Sequence, residues 1–204
     1  MFLTPVKVSD QEVINVISAH QFVYTYIPYA IHNGKTAKEA CEEAIRLNHT
    51  GYWKAMVEEI TMAQHRGEAV ILAGDFNEPS HLDYSIKAQK LGFVEADQLS
   101  GLMSNILIDD LQMKDVWAEK RLKEKADECS LRGITWSPTT WDYKKGVDDH
   151  RIDFIYYTPK HFTFEDAQLV GEKPVVEISG DKVDLQIDRW PSDHRGVLAI
   201  LNIN

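Results

Sequence analysis

A chain of 204 residues, 44% of them hydrophobic, is long enough to bury one substantial core and reads as one domain. Its 22 Lys and Arg against 32 Asp and Glu leave a formal charge of -10, which weakens rather than helps unspecific attraction to a polyanion such as DNA. No apolar run approaches the ~20 residues of a bilayer span, and Met1-Phe2-Leu3-Thr4 lacks the charged start and apolar centre of a signal peptide, so a soluble chain is expected, of unknown compartment and oligomeric state.

In chain order, Phe2 to Val8 and Glu12 to Ser18 are β-prone runs around the turn residues Ser9-Asp10-Gln11, a predicted hairpin that delivers His20 at its end. Thr36 with Glu39 predicts a capping box for a helix through about Leu47. A second helix buries Trp53, Met56, Val57 and Ile60 until Gly67 stops it. Ala69-Val70-Ile71-Leu72-Ala73 reads as a buried strand ending on Gly74-Asp75-Phe76-Asn77. The stretch from Asp109 to Lys125 is expected to include a helix that buries Leu111 and Trp117, with its Lys and Glu facing water. Arg151 to Tyr157 and Gly196 to Ile203 read as core strands. Cys41 and Cys129 are too few and too far apart for a disulfide framework or zinc site and are expected as buried thiols.

Chemically capable residues therefore stand at the ends of apolar strands four times: His20, Asp75 with Asn77, Asp153, and Asp193 with His194. Strand ends can converge on a cleft while strand interiors form the core. In an extended chain Asp75 and Asn77 would point to one side of the strand and Phe76 to the other. Asp193 offers a hard oxygen to a metal, His194 an imidazole to a phosphoryl oxygen, and Asp153 a carboxylate to orient that imidazole. Three carboxylates and two histidines, with no activated serine or cysteine, suit water attack on phosphorus assisted by a metal.

Gly74-Asp75-Phe76-Asn77, Arg151-Ile152-Asp153-Phe154-Ile155 and Ser192-Asp193-His194, in this order, resemble the signature of the endonuclease/exonuclease/phosphatase superfamily. The resemblance implies an α/β (α+β) fold, a four-layer αββα sandwich with mostly antiparallel sheets. It further implies a hydrolase that uses Mg2+ or Mn2+ on a phosphodiester or phosphomonoester. By position, Asp75 would orient or deprotonate the water, Asn77 steady the phosphorane, Asp193 bind metal, and His194 contact the phosphate with Asp153 behind it. His20 resembles the histidine that assists the leaving group, although Gln21 departs from the usual triplet there. Trp136, in Thr135-Trp136, would line the cleft, and His81 lies close enough in sequence to reach substrate.

The family's glutamate metal ligand normally precedes the histidine strand, and only nineteen residues precede His20. Glu12 lies on the order of 26 Å from His20 along one strand and is a decoy. The expectation is that residues 1–204 form the C-terminal, larger part of such a domain, a partial sandwich, with weak metal binding and little activity. The candidate substrates are a nucleic acid, which the charge disfavours, a phospholipid head group or a phosphorylated metabolite. The alternative is a catalytically impaired fragment or a noncatalytic binding module of the same fold. Bland readings stand for other residues: Trp136 and Trp141 as packing, His32, His49, His65, His150 and His161 as surface, and Asp148-Asp149 as solvated loop.

Overall fold

A computed structural model describes residues 2–9, 12–136, 149–172 and 183–204. The predicted hairpin forms from β1 (Phe2–Lys7) and β2 (Val13–His20), paired antiparallel from Phe2↔Ser18 to Lys7↔Val13. Glu12 sits at the turn, the far end of β2 from His20, where its carbonyl accepts the N–H of Val8 at 3.0 Å. A short helix that the sequence reading does not contain, α1 (Ile27–His32), comes next, followed by α2 (Ala37–Asn48) and α3 (Gly51–His65). The Thr36/Glu39 capping box is present in full at the start of α2.

Strand β3 (Ala69–Asp75) lies parallel to β2, and α4 (Ile86–Lys90), α5 (Met103–Asn105) and a π-helical turn (Ile106–Asp110) lead to β4 (Lys114–Asp115). After α6 (Val116–Glu124), β5 (Asp153–Tyr157) inserts antiparallel between β3 and β4, completing a five-stranded sheet of order β1-β2-β3-β5-β4. A second sheet, β7-β6-β8, is built from β6 (Phe162–Gly171), β7 (Leu185–Gln186) and β8 (Gly196–Ile203).

Strand alternation sorts the apolar side chains into two layers of core. Ile17, Val70, Leu72, Phe154 and Tyr156 pack with Trp53, Met56 and Ile60 of α3. Their sequence neighbours Ile14, Val16, Ala69, Ile71, Ile155 and Tyr157 face the other way and meet β6 and β8. Helices, five-stranded sheet and three-stranded sheet are thus stacked, a partial sandwich. Leu198 and Ile200, on the outward side of β8, are exposed, so β8 is a half-covered strand rather than the core strand the sequence predicts.

Four further expectations are corrected. The stretch from Asp109 to Lys125 includes a helix, α6, but Leu111 is not on it: the π turn, Leu111 in a loop, and β4 precede α6. Within α6 Trp117 is buried, but so is Lys120, at 3% exposure, because its ammonium reaches Asp166 and Glu124, each at 3.1 Å. His49 and His150 are not surface residues: His49 pairs with Glu78 at 2.8 Å, and His150 is buried 3.4 Å from Glu95. Asp149 is fully buried against Arg132 at 2.6 Å, while Asp148 and Trp141 lie outside the described residues. Cys41 and Cys129 are free and buried, as expected.

At Gly74 the neighbouring backbone of β2 leaves no room for a side chain. A Cβ there would stand 1.7 Å from the Ala19 carbonyl oxygen, a backbone atom that cannot move without breaking the parallel ladder. Gly74→Ala is therefore expected to lower unfolding stability by about 3 kcal/mol, measured by urea denaturation. A loss of only a few tenths would contradict this packing.

Candidate active site

Register brings the first three candidates together. His20 pairs with Asp75 across β2 and β3, and Asp75 pairs with Asp153 across β3 and β5, so the three form one row over adjacent strands. They share the phase of Ile71 and Ile155, so this row stands on the face turned toward the second sheet. From that second sheet, the segment leading into β8 brings His194 across, and its Nδ1 lies 2.9 Å from Asp153 Oδ2. His20 Nε2 is 3.5 Å from Asp75 Oδ2, with the His20 side chain largely exposed. The site is thus a seam between the two sheets at the strand ends.

The chain turns sharply after Asp75. Phe76 enters the helix-side core and donates its N–H to the Ile152 carbonyl at 2.8 Å. Asn77 adopts a left-handed backbone, φ 48°, a conformation that asparagine tolerates better than most residues. Its N–H donates to Asp75 Oδ1 at 2.7 Å, and its Nδ2 donates to the Gln21 carbonyl at 2.9 Å and Asp75 Oδ2 at 3.2 Å. Asp75 and Asn77 therefore meet because the backbone bends back, not through extended alternation as the sequence suggests. Thr135 supports Asp153 from behind: its buried Oγ1 accepts the N–H groups of Ile152 at 3.0 Å and Asp153 at 3.1 Å.

Asp75, Asp153 and His194 offer ligand atoms within 4.8 Å of one another, the group among the described residues that could hold a metal ion. Burial first, and then the charge of Asp153, raises the Asp75 carboxyl above its ordinary range. Burial works to lower the His194 pKa, but the hydrogen bond to Asp153, followed by the charges of Asp153, Asp75 and Asp193, outweighs it and leaves the imidazole above its ordinary value. Two crowded carboxylates, one of them reluctant to ionise, form a donor set that a hard cation would relieve.

Other predicted residues are placed differently. Asp193 is exposed and outside that group, and its Oδ2 accepts the Trp136 indole N–H at 3.3 Å. The Trp136 ring lies 6.3 Å from the His194 ring, on the rim of the seam. His81 is not brought to the site. Its Nδ1 pairs with Ser104 Oγ at 2.8 Å on the helix side, where burial lowers its pKa. Arg151 of the Arg-Ile-Asp run is likewise structural, buried against Asp83 at 3.1 Å and Asp115 at 2.5 Å.

Two supports escape a sequence reading. Gln21 acts through its backbone, its N–H donating to the Asp75 carbonyl at 2.9 Å, so its residue type carries no signal. Glu78 is buried, accepts the Met103 N–H at 2.6 Å and holds His49, anchoring the turn from below; its place next to Asn77 was the available clue.

The uncharacterized protein F14F9.5 of Caenorhabditis elegans is 26% identical over 205 residues, which cover 91% of this chain and 59% of that protein. Among solved structures, truncated Caenorhabditis elegans TDP2 aligns over 96% of this chain and 56% of that one, with 16% identity and a TM-score of 0.40. The chain thus spans less than two thirds of the length of either. The model of the Endonuclease/Exonuclease/phosphatase family matches residues 17–194, a span that holds His20, Asp75, Asn77, Asp153 and His194, and the chain belongs to that family.

Proposed function

We propose that this chain hydrolyses a phosphate ester, diester or monoester, with Mg2+ or Mn2+ as cofactor. The observation that carries this reading is the row His20, Asp75 and Asp153 on three neighbouring strands, faced by His194 from the other sheet. Asp75 and Asp153 are the carboxylates that would hold the ion, leaving the neighbouring His194 imidazole for the phosphate. When bound, a divalent cation supplies positive charge to the phosphoryl oxygens and acidifies water.

The chain's own groups divide the remaining work. His194, whose imidazolium is favoured by Asp153, donates from Nε2 to a phosphoryl oxygen and stabilises the charge that builds there. Asp75 accepts the proton of the attacking water; a raised carboxyl pKa brings it closer to the operating pH, which suits a general base. Asn77 fixes the Asp75 carboxylate through its N–H and its side-chain amide, and would steady the phosphorane if that amide turned from Asp75 to a phosphoryl oxygen. His20, exposed beside Asp75, would pass a proton to the leaving oxygen.

A panel of bis-nitrophenyl phosphate, plasmid DNA, sphingomyelin and inositol phosphates, assayed with Mg2+ or Mn2+, tests the reading. Slow turnover that EDTA stops is the expected result. Silence on every substrate, with the metals also failing to bind in calorimetry, would leave a noncatalytic module of the same fold.

A further inference from the structure

The segment that leaves the site displays two of the most exposed aromatic rings among the described residues, Phe22 at 70% and Tyr24 at 67%. Their centroids are 4.8 Å apart with an interplanar angle of 45°. Both ends of this segment are tied down. Gln21 donates its N–H to the Asp75 carbonyl at 2.9 Å and accepts from Asn77 Nδ2 at 2.9 Å, so Phe22 follows directly on a residue locked to the catalytic turn. On the far side, buried Asn48 accepts the N–H groups of Tyr24 at 2.9 Å and Thr25 at 3.1 Å, and returns its Nδ2 to the Thr25 carbonyl at 2.8 Å.

The aromatic rim continues beyond Thr25. Tyr26 stands edge-on to Tyr29 at 5.2 Å and to Trp136 at 5.4 Å, and Trp136 borders His194. From Val13 to Gly34 the sequence has no Lys, Arg, Asp or Glu. Folding gains little from rings left this exposed, yet a buried asparagine and the catalytic turn hold their backbone in place. An isolated exposed aromatic residue needs no explanation; two adjoining exposed rings on a backbone tied to the catalytic turn form a ready surface for a planar group.

We propose that Phe22 and Tyr24 form a stacking platform for a planar ring in the organic arm of the substrate, so that nucleoside-type phosphodiesters are preferred over aliphatic ones. This rests on the phosphoesterase reading above. Stacking on a ring face needs no positive charge, which this rim lacks. A loop that enters an anionic membrane combines apolar tips with Lys or Arg, and none is present here. The net charge of -10 also favours a short substrate over a long polyanion.

Two esters with the same leaving group separate the possibilities: thymidine 5′-(p-nitrophenyl phosphate) and ethyl p-nitrophenyl phosphate. The expected kcat/KM preference for the thymidine ester is about tenfold or more, the scale of one stacked base. The double variant Phe22→Ala/Tyr24→Ala should lose that preference and keep the ethyl ester rate, whereas Phe22→Trp should retain it. Equal rates on both esters in the wild type, or a preference that survives the double substitution, overturn the platform. If neither ester is cleaved, the phosphoesterase reading fails by itself, and equilibrium dialysis of thymidine 5′-phosphate against inorganic phosphate decides the platform. Tighter binding of the nucleotide that depends on Phe22 and Tyr24 supports it, and equal binding overturns it. Co-sedimentation with phosphatidylcholine vesicles that requires both rings, without any nucleoside preference, would assign the rim to a lipid surface and also overturn it.

Discussion

Asp75→Asn is expected to reduce turnover by about 10²–10⁴-fold, the range for loss of a general base, while raising the melting temperature of the metal-free protein. The two effects share one cause. Burial and the neighbouring Asp153 make the ionised Asp75 carboxylate costly in the folded state, so its pKa is raised there. The folded chain therefore holds this proton more tightly than the unfolded chain does. Stability associated with the protonated group is fully present below the ordinary value of 3.8 and is lost as pH rises through the raised folded value. Above that folded value the whole cost is in force.

Asparagine keeps an oxygen for the Asn77 N–H and removes the charge, a gain on the order of 1 kcal/mol, or roughly 2–4 °C for a chain of this size. Calorimetric scans with EDTA measure it. Saturating Mg2+ should shrink the difference, because an ion that binds only the folded wild type stabilises it by mass action. A variant that melts below the wild type in EDTA would show that Asp75 contributes more through its hydrogen bonds than its charge removes.

Asp153→Asn should also cost about 10²–10⁴-fold in turnover and, more tellingly, move the pH dependence. In the wild type the imidazolium of His194 is favoured by Asp153 against the opposing effect of burial. The stabilisation from this pair is fully present below the ordinary imidazole value of 6.5 and is lost as pH rises through the raised folded value. With the amide in place, burial is opposed only by the charges of Asp75 and Asp193, and the His194 pKa falls. The alkaline limb of the activity profile, if it reports His194, should then shift to lower pH, and an NMR titration of the imidazole should follow it. Lost activity with an unmoved His194 titration would assign Asp153 to the metal rather than to the histidine.

The parts of this protein that depend on neighbours in sequence were legible from it. The hairpin, the capped helix α2, the amphipathic α3 and the strand β3 follow from local alternation, turn residues and helical spacing, and each forms where the pattern places it. The three motifs also pointed to the residues that converge. The longest strand, β6, was not legible, because a bulge between Phe164 and Asp166 breaks the alternation that marks a strand. Burial of Lys120, His49, His150 and Asp149 was hidden too. A charged residue is buried when a partner reaches it, and those partners, Asp166, Glu78, Glu95 and Arg132, come from distant segments.

The same division runs through the site. Sequence alone determined which residue types stand at strand ends, and so named Asp75, Asn77, Asp153 and His194 as chemically capable. Only the tertiary structure decided that His20, Asp75 and Asp153 share a row and that His194 crosses from the other sheet to meet them. It also placed Asp193 on the rim with Trp136 and turned His81 to the helix side. Residue type and local spacing are properties of one strand, whereas a shared row and a crossing imidazole depend on the register between strands and the packing of two sheets, which no single strand encodes.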